Sequence, residues 1–127
     1  MGIHIKKSNG YLAYWKERQT ETENFHRRLE SEAKNELQQI VSLLAERYGA
    51  RRIFLFGSLK TGGFTETSDI DLAVEGIKAE HFFTALAQVN RVSRFAVDLK
   101  PLEDLEPYFR SRVYLEGELI YEKDNLN

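Results

Sequence analysis

Hydrophobic positions along the 127-residue chain change period several times, and each change marks an element. Residues 1 to about 19 have no clean period. Ile3 and Ile5 alternate with polar neighbours, and Tyr11, Leu12, Tyr14 and Trp15 cluster after the turn pair Asn9-Gly10. Such clusters mostly supply buried area, so this one is expected to cover the core rather than to act as a docking arm. From Thr20 to Tyr48 the apolar positions recur at steps of three and four (Phe25, Leu29, Ala33, Leu37, Ile40, Val41, Leu44 and Tyr48), which predicts a long amphipathic helix. Thr20 with Glu23 reads as a capping box opening that helix, and Gly49 as the glycine that ends it.

Arg52 to Phe56 is a short β-favouring run that predicts a buried strand, followed by Gly57-Ser58 and a loop with Gly62-Gly63. A second strand is predicted over Ile70–Val74 and a second helix over Lys78 to about Asn90. A third strand follows over Phe95–Leu99, a third helix over Glu103–Glu116 stopped by Gly117, and a short last strand over Glu118–Glu122. The order α-β-loop-β-α-β-α-β predicts an α+β, two-layer fold in one domain spanning residues 1–127. Its short mixed sheet would be covered on one face by helices, with an N-terminal helical extension.

Composition narrows the chemistry. Eighteen Lys and Arg stand against 20 Asp and Glu for a net charge of −2, which argues against a general nucleic-acid binder. There is no cysteine, which excludes disulfides, thiolate metal sites and thiol nucleophiles. Neither a secretory signal nor a myristoylation pattern is present, Lys6 standing where the latter wants Ser or Thr. The longest strongly apolar run, Ile53–Phe56, is far too short to cross a bilayer, so the expectation is a cytoplasmic protein with no membrane contact.

Three carboxylates then stand out. Asp69 and Asp71 are two apart on a predicted strand and so share a face, and Asp98 interrupts an otherwise apolar strand, with Ala96 and Lys100 on its side. A charge in a buried strand is costly unless it is paired or bound to a cation. If the two strands are neighbours, the carboxylates converge, and their repulsion raises at least one pKa unless divalent ions sit between them. Hard oxygen ligands at an open site suit Mg²⁺. Gly57-Ser58, at a strand end, lets backbone amides approach a phosphate and adds a hydroxyl donor. Two divalent ions with a triphosphate at a Gly-Ser turn describe a nucleotidyl or phosphoryl transfer site. His4, His26 and His81 are isolated and read as surface residues, and Arg51, Arg52, Arg91 and Arg94 flank the site strands.

Gly57-Ser58, ten residues, Asp69-Ile70-Asp71 and a later strand-borne Asp98 together resemble the DNA polymerase beta-like nucleotidyltransferase superfamily. Phe54–Ser58, Ser68–Val74 and the ending Tyr114–Glu122 resemble its minimal nucleotidyltransferase (MNT) branch. The resemblance runs from about residue 37 to 122 and leaves 1–36, an arm and the start of the long helix, outside the family core. It implies the nucleotidyltransferase fold. It also implies that Asp69 and Asp71 bridge two Mg²⁺ ions, and that Asp98 completes one ion's shell and helps deprotonate the attacking hydroxyl. Gly57 and Ser58 would hold the terminal phosphates of ATP, with Lys60 and Ser68 beside them. Many MNT proteins carry Arg at the first and third positions after Gly-Ser, where this chain has Leu59 and Thr61.

The activity implied is transfer of AMP to a tyrosine of a HEPN-type ribonuclease toxin, the antitoxin half of a toxin–antitoxin pair. Two alternatives stand beside it. One is an antitoxin that acts by contact with weakened catalysis. The other is transfer to a small molecule such as an aminoglycoside, which the 29 residues after Asp98 leave little chain to bind.

Overall fold

The computed structural model describes residues 2–124. Helix α1 (Gly2–Tyr48) leads into strand β1 (Arg52–Phe56), a single helical turn α2 (Ser58–Thr61) and strand β2 (Ile70–Glu75). Helix α3 (Ala79–Val92), strand β3 (Val97–Pro101), helix α4 (Pro107–Glu116) and strand β4 (Glu118–Glu122) complete the chain. The sheet order is β3-β2-β1-β4. β1 runs antiparallel to β2 and β4, and β2 runs parallel to β3. A parallel neighbour cannot be reached by a tight turn, and α3 supplies the crossover. Among the described residues no helix is long and apolar enough to cross a membrane.

Strand alternation sorts the side chains into two layers. Ile53, Leu55, Ile70, Leu72, Val74, Val97 and Leu99 face the main core, against Leu29, Ala33, Leu37, Ile40 and Leu44 of α1 and Phe82, Ala85 and Val89 of α3. Each α1 residue in that set follows the previous one by three or four, so the helix buries one stripe. Gly49 takes φ +72 where α1 stops, and the Ala50 amide donates to the Leu44 carbonyl at 3.0 Å. On the opposite face, Phe54 and Ala73 pack with Leu102 and Val113. The expected one-sided cover by helices therefore holds for α1 and α3, while α4 lies over part of the second face.

The N-terminal third departs from expectation. α1 runs unbroken through Thr20, whose hydroxyl donates to the Lys16 carbonyl at 2.9 Å instead of capping a helix start. Tyr11, Leu12, Tyr14 and Trp15 cover no core and are exposed, as is Phe25. Tyr11 and Tyr14 meet Trp15 edge-on, with ring centroids 5.9 and 5.7 Å apart. Tyr11, one turn before Trp15, and Tyr14, its chain neighbour, thus meet its ring on the helix itself, away from the core.

Smaller shifts have local causes. The predicted helix from Glu103 is split into a 3-10 turn at Leu102–Asp104 and α4, because Pro107 fixes a helical first turn and pushes Glu106 into extended backbone. The Arg110 guanidinium ties the junction by donating to the carbonyls of Leu102, Glu103 and Leu105 at 3.2, 2.8 and 3.3 Å. β3 starts two residues later than expected and ends on Pro101. The Asn90 side chain pins its first residue: its amide donates to the Val97 carbonyl at 2.9 Å, and its oxygen accepts the Val97 amide at 2.8 Å.

Candidate functional site

The second face of the sheet carries a row of three residues, one each from β1, β2 and β3. Phe56 stands opposite Asp71 in the β1–β2 ladder, and Asp71 stands opposite Asp98 in the β2–β3 ladder. Adjacent strands lie about 4.8 Å apart, so the two carboxyl groups are forced into each other's field. Asp69 precedes the first residue of β2 rather than lying within it, and is exposed. Burial, first, and then repulsion from Asp98 and Asp69 raise the Asp71 carboxyl above the ordinary aspartate value, while Lys100 acts in the opposite sense. Asp71 therefore lies in the field of both other aspartates, although the three side chains among the described residues do not close on one point.

Lys100 follows Asp98 by two on β3, so the side chains share a face, and its ammonium is ion-paired with the Asp98 carboxylate. That ammonium also lies 5.9 Å from the centroid of the Phe56 ring. The strand spacing put the two on one face, but the pairing itself emerges only in three dimensions.

β1 ends at Gly57, and the glycine is obligatory on two counts. Its φ is +75, and a Cβ there would stand 2.1 Å from the Asp71 carboxylate oxygen. The backbone of the Gly-Ser turn is thus in direct contact with the central carboxylate. From there α2 forms one turn. The Gly57 carbonyl accepts the Lys60 and Thr61 amides at 3.2 and 3.1 Å, and Ser58 accepts those of Gly62 and Gly63 at 2.8 and 3.1 Å. Leu59 is buried and anchors the turn in the main core. The Thr61 hydroxyl donates back to the Gly57 carbonyl at 3.2 Å. Neither position that is arginine in many MNT proteins therefore carries a cation, and Lys60 is the exposed cation of the turn.

Ser68 closes the loop before Asp69. Its hydroxyl accepts the Thr65 amide at 2.9 Å, and its own amide donates to the Thr65 carbonyl at 3.0 Å. The flanking arginines divide. Arg52 forks onto Glu75 at 2.9 and 2.7 Å and reaches the Tyr114 hydroxyl at 3.0 Å, while Arg94 pairs with Glu32 of α1 at 3.0 Å. His26 meets Glu66 at 3.0 Å and joins α1 to the loop after α2. All three contacts are structural ties. Asn90, which fixes the backbone beside Asp98, carried no signal in the sequence, because an asparagine late in a helix reads as an ordinary polar position.

The donor set fits a hard divalent cation. It consists of the Asp71 carboxylate, whose proton affinity burial and its acidic neighbours raise, with the Asp69 and Asp98 oxygens nearby, beside a backbone turn able to approach a phosphate. As the side chains stand, no three acidic or histidine groups among the described residues converge on one point, Asp98 being turned to Lys100.

Known proteins share the fold that carries this site. The family model described as polymerase beta, nucleotidyltransferase, matches residues 38–126. A solved structure of a protein proposed to be a minimal nucleotidyltransferase is similar at 27% identity and a TM-score of 0.61, covering 70% of this chain and 93% of its own. A toxin–antitoxin crystal structure with AMP-PNP shares the fold at 23% identity and a TM-score of 0.61, over 68% of this chain and 73% of that one. So does a complex of tri-AMPylated HEPN toxin with MNT antitoxin from Shewanella oneidensis, at 22% identity and a TM-score of 0.56, over 72% and 73%. Among curated proteins none matches the chain significantly. The family match spans all four strands, the Gly57-Ser58 turn and all three aspartates, and the chain belongs to the polymerase beta nucleotidyltransferase family.

Proposed function

We propose that this protein transfers AMP from ATP to a tyrosine hydroxyl of a HEPN-type toxin and acts as that toxin's antitoxin. The observation that carries the reading is the row Phe56–Asp71–Asp98, with the Gly57 backbone packed against Asp71. Nucleotidyl transfer needs that juxtaposition: carboxylates at the reacting phosphorus and a backbone cradle for the departing phosphates. Structures of the same fold are described as an AMPylated HEPN toxin with its MNT antitoxin and as a toxin–antitoxin with AMP-PNP, which supports the partner and the nucleotide.

In this reading Ser58 and the Gly57 backbone hold the terminal phosphates, with Lys60 adding charge from the outer side of the turn. Ser68 holds the turn that delivers Asp69 beside them. Asp69, Asp71 and Asp98 would hold two Mg²⁺ ions, which when bound offset the charge of the triphosphate and of the leaving pyrophosphate. The acceptor hydroxyl attacks the α-phosphorus, a new O–P bond forms, and the bond to pyrophosphate breaks. Asp98 takes the hydroxyl proton, and AMP stays on the acceptor. The domain is cytoplasmic, with residues 1–36, an arm and the start of the long helix, outside the family core.

The test is incubation with Mg²⁺, α-labelled ATP and a HEPN-type partner. Label on the partner, lost with Asp71→Asn, is the expected result. Absence of label on any protein would overturn the reading. A second reading, neutralisation by contact alone, draws on Leu59 and Thr61, whose side chains are both committed within the fold. It predicts that Asp71→Asn still neutralises the partner.

A further inference from the structure

One step along the strands from the carboxylate row lies a second row on the same face, Phe54, Ala73 and Lys100. α4 crosses over it, with Val113 packed against Phe54 and Ala73. Between α4 and the carboxylate row opens a groove of about 660 Å³, lined by Phe56, Lys100, Leu105, Tyr108, Phe109 and Arg112 among others. Two of its walls are shared with the site, since Phe56 is paired with Asp71 and Lys100 with Asp98. The opposite wall presents two aromatic rings, Tyr108 at 65% and Phe109 at 57% exposed, edge-on to each other at 5.8 Å. Arg112, ion-paired with Glu116, puts polar groups on the α4 wall.

We propose that this groove holds the base and ribose of the nucleotide donor. The proposal rests on the nucleotidyl-transfer reading and adds where the nucleoside lies and which side chains select it. The chemistry assigns the direction. In an in-line displacement the attacking and leaving oxygens occupy opposite apices of the α-phosphorus, and the ribose oxygen is an equatorial substituent. Here the leaving phosphates belong at Gly57-Ser58, at the end of β1. The attacking hydroxyl belongs at Asp98, on β3, an edge strand open to an arriving protein. That axis runs along the row, from β1 through β2 to β3. The nucleoside then leaves within the plane at right angles to that axis, and of the directions in that plane the one along the strands toward α4 leads into the groove.

Size and chemistry agree. The volume lies in the range of small-molecule sites, a mostly apolar lining with a few polar groups suits a purine, and exposed rings offer stacking surface. Three smaller cavities lined by α1 residues touch neither Phe56 nor Lys100.

The test compares two ligands by calorimetry in the presence of Mg²⁺: ATP, and inorganic tripolyphosphate, which has no nucleoside. Tyr108→Ala with Phe109→Ala is the variant, both being exposed positions whose loss leaves the core intact, and Phe109→Trp is its conservative control. The expected result is ATP affinity lowered about tenfold or more in the double variant, with tripolyphosphate unchanged and ATP binding retained in the Trp variant. Unchanged ATP affinity would overturn the proposal. If transfer to the partner alone then falls, the groove belongs to the acceptor. An equal loss for both ligands would also overturn it, by showing that α4 only shapes the phosphate site. Failure of the unaltered protein to bind either ligand would overturn the nucleotidyl-transfer reading itself, and the proposal with it.

Discussion

Asp71 of β2 stands directly opposite Asp98 of β3 in a parallel ladder, on the sheet face away from the main core. Burial and the fields of Asp98 and Asp69 disfavour the ionised form of Asp71, so the folded state bears a cost there that the unfolded chain does not. Asp71→Asn keeps the shape and removes the charge. The expected outcome is a higher melting temperature in metal-free buffer together with loss of nucleotidyl transfer. A lowered melting temperature would show that Lys100 more than offsets the repulsion.

Gly57→Ala tests the contact between the turn and the central carboxylate. The new methyl group would overlap the Asp71 carboxylate, and the backbone is in the left-handed region. The expected loss is about 1–3 kcal/mol of stability from strain alone, with transfer abolished because Asp71 is displaced. Chemical denaturation and labelling with α-labelled ATP measure the two effects separately.

Asn90→Ala leaves both backbone groups of Val97 without their side-chain partner at a buried residue. The expected cost is about 1–3 kcal/mol, with faster amide exchange at Val97 and reduced transfer, because the backbone carrying Asp98 loosens. Unchanged exchange at Val97 would place the anchor of β3 elsewhere.

The Arg52–Glu75 fork gives acid sensitivity with a defined sign. The hydrogen bonds from Arg52, above all, hold the Glu75 carboxyl below its ordinary value. The pair therefore stabilises fully above the unfolded glutamate value of about 4.3, and that contribution disappears as pH falls through the lower folded value. Glu75→Gln should cost about 1 kcal/mol at pH 7, and the gap in melting temperature between it and the unaltered protein should close as pH falls through the folded value. A gap that persists in acid would assign the loss to packing.

The two halves of α1 should answer mutation differently. Ile40 is fully buried, and Ile40→Ala should cost about 2–5 kcal/mol. Trp15 is half exposed and its ring meets Tyr11 and Tyr14 of the same helix, so Trp15→Ala should change stability by less than about 0.5 kcal/mol. Trp15 is also the one tryptophan, and its emission should sit at the wavelength of a water-exposed indole and remain there on unfolding.

Periodicity made most of the sheet legible in advance. Ile70, Leu72 and Val74 alternate with Asp71 and Ala73, and that alternation alone separates the core face from the site face. Asp98 and Lys100 were readable for the same reason. The misreadings arise where a local signal competes with a longer-range one. Asn9-Gly10 and Thr20 look like boundaries, yet the helix-favouring residues between them carry α1 straight through, at a cost of about 1 kcal/mol for the glycine. The place of Asp69 ahead of β2, the clamp of Asn90 on Val97 and the groove under α4 depend on which elements become neighbours, and no window of adjacent residues encodes that.

The length of α1 governs how the molecule moves in solution. Forty-seven helical residues make a rod about 70 Å long, whereas a compact chain of 127 residues has a radius of gyration of about 14 Å. The globular part gathers around the C-terminal half of that rod, so each copy tumbles as a weighted shaft rather than as a sphere. Small-angle scattering from one copy should carry interatomic distances out to the length of the rod, and its elution from a sizing column should overstate a mass of 14.8 kDa without any association.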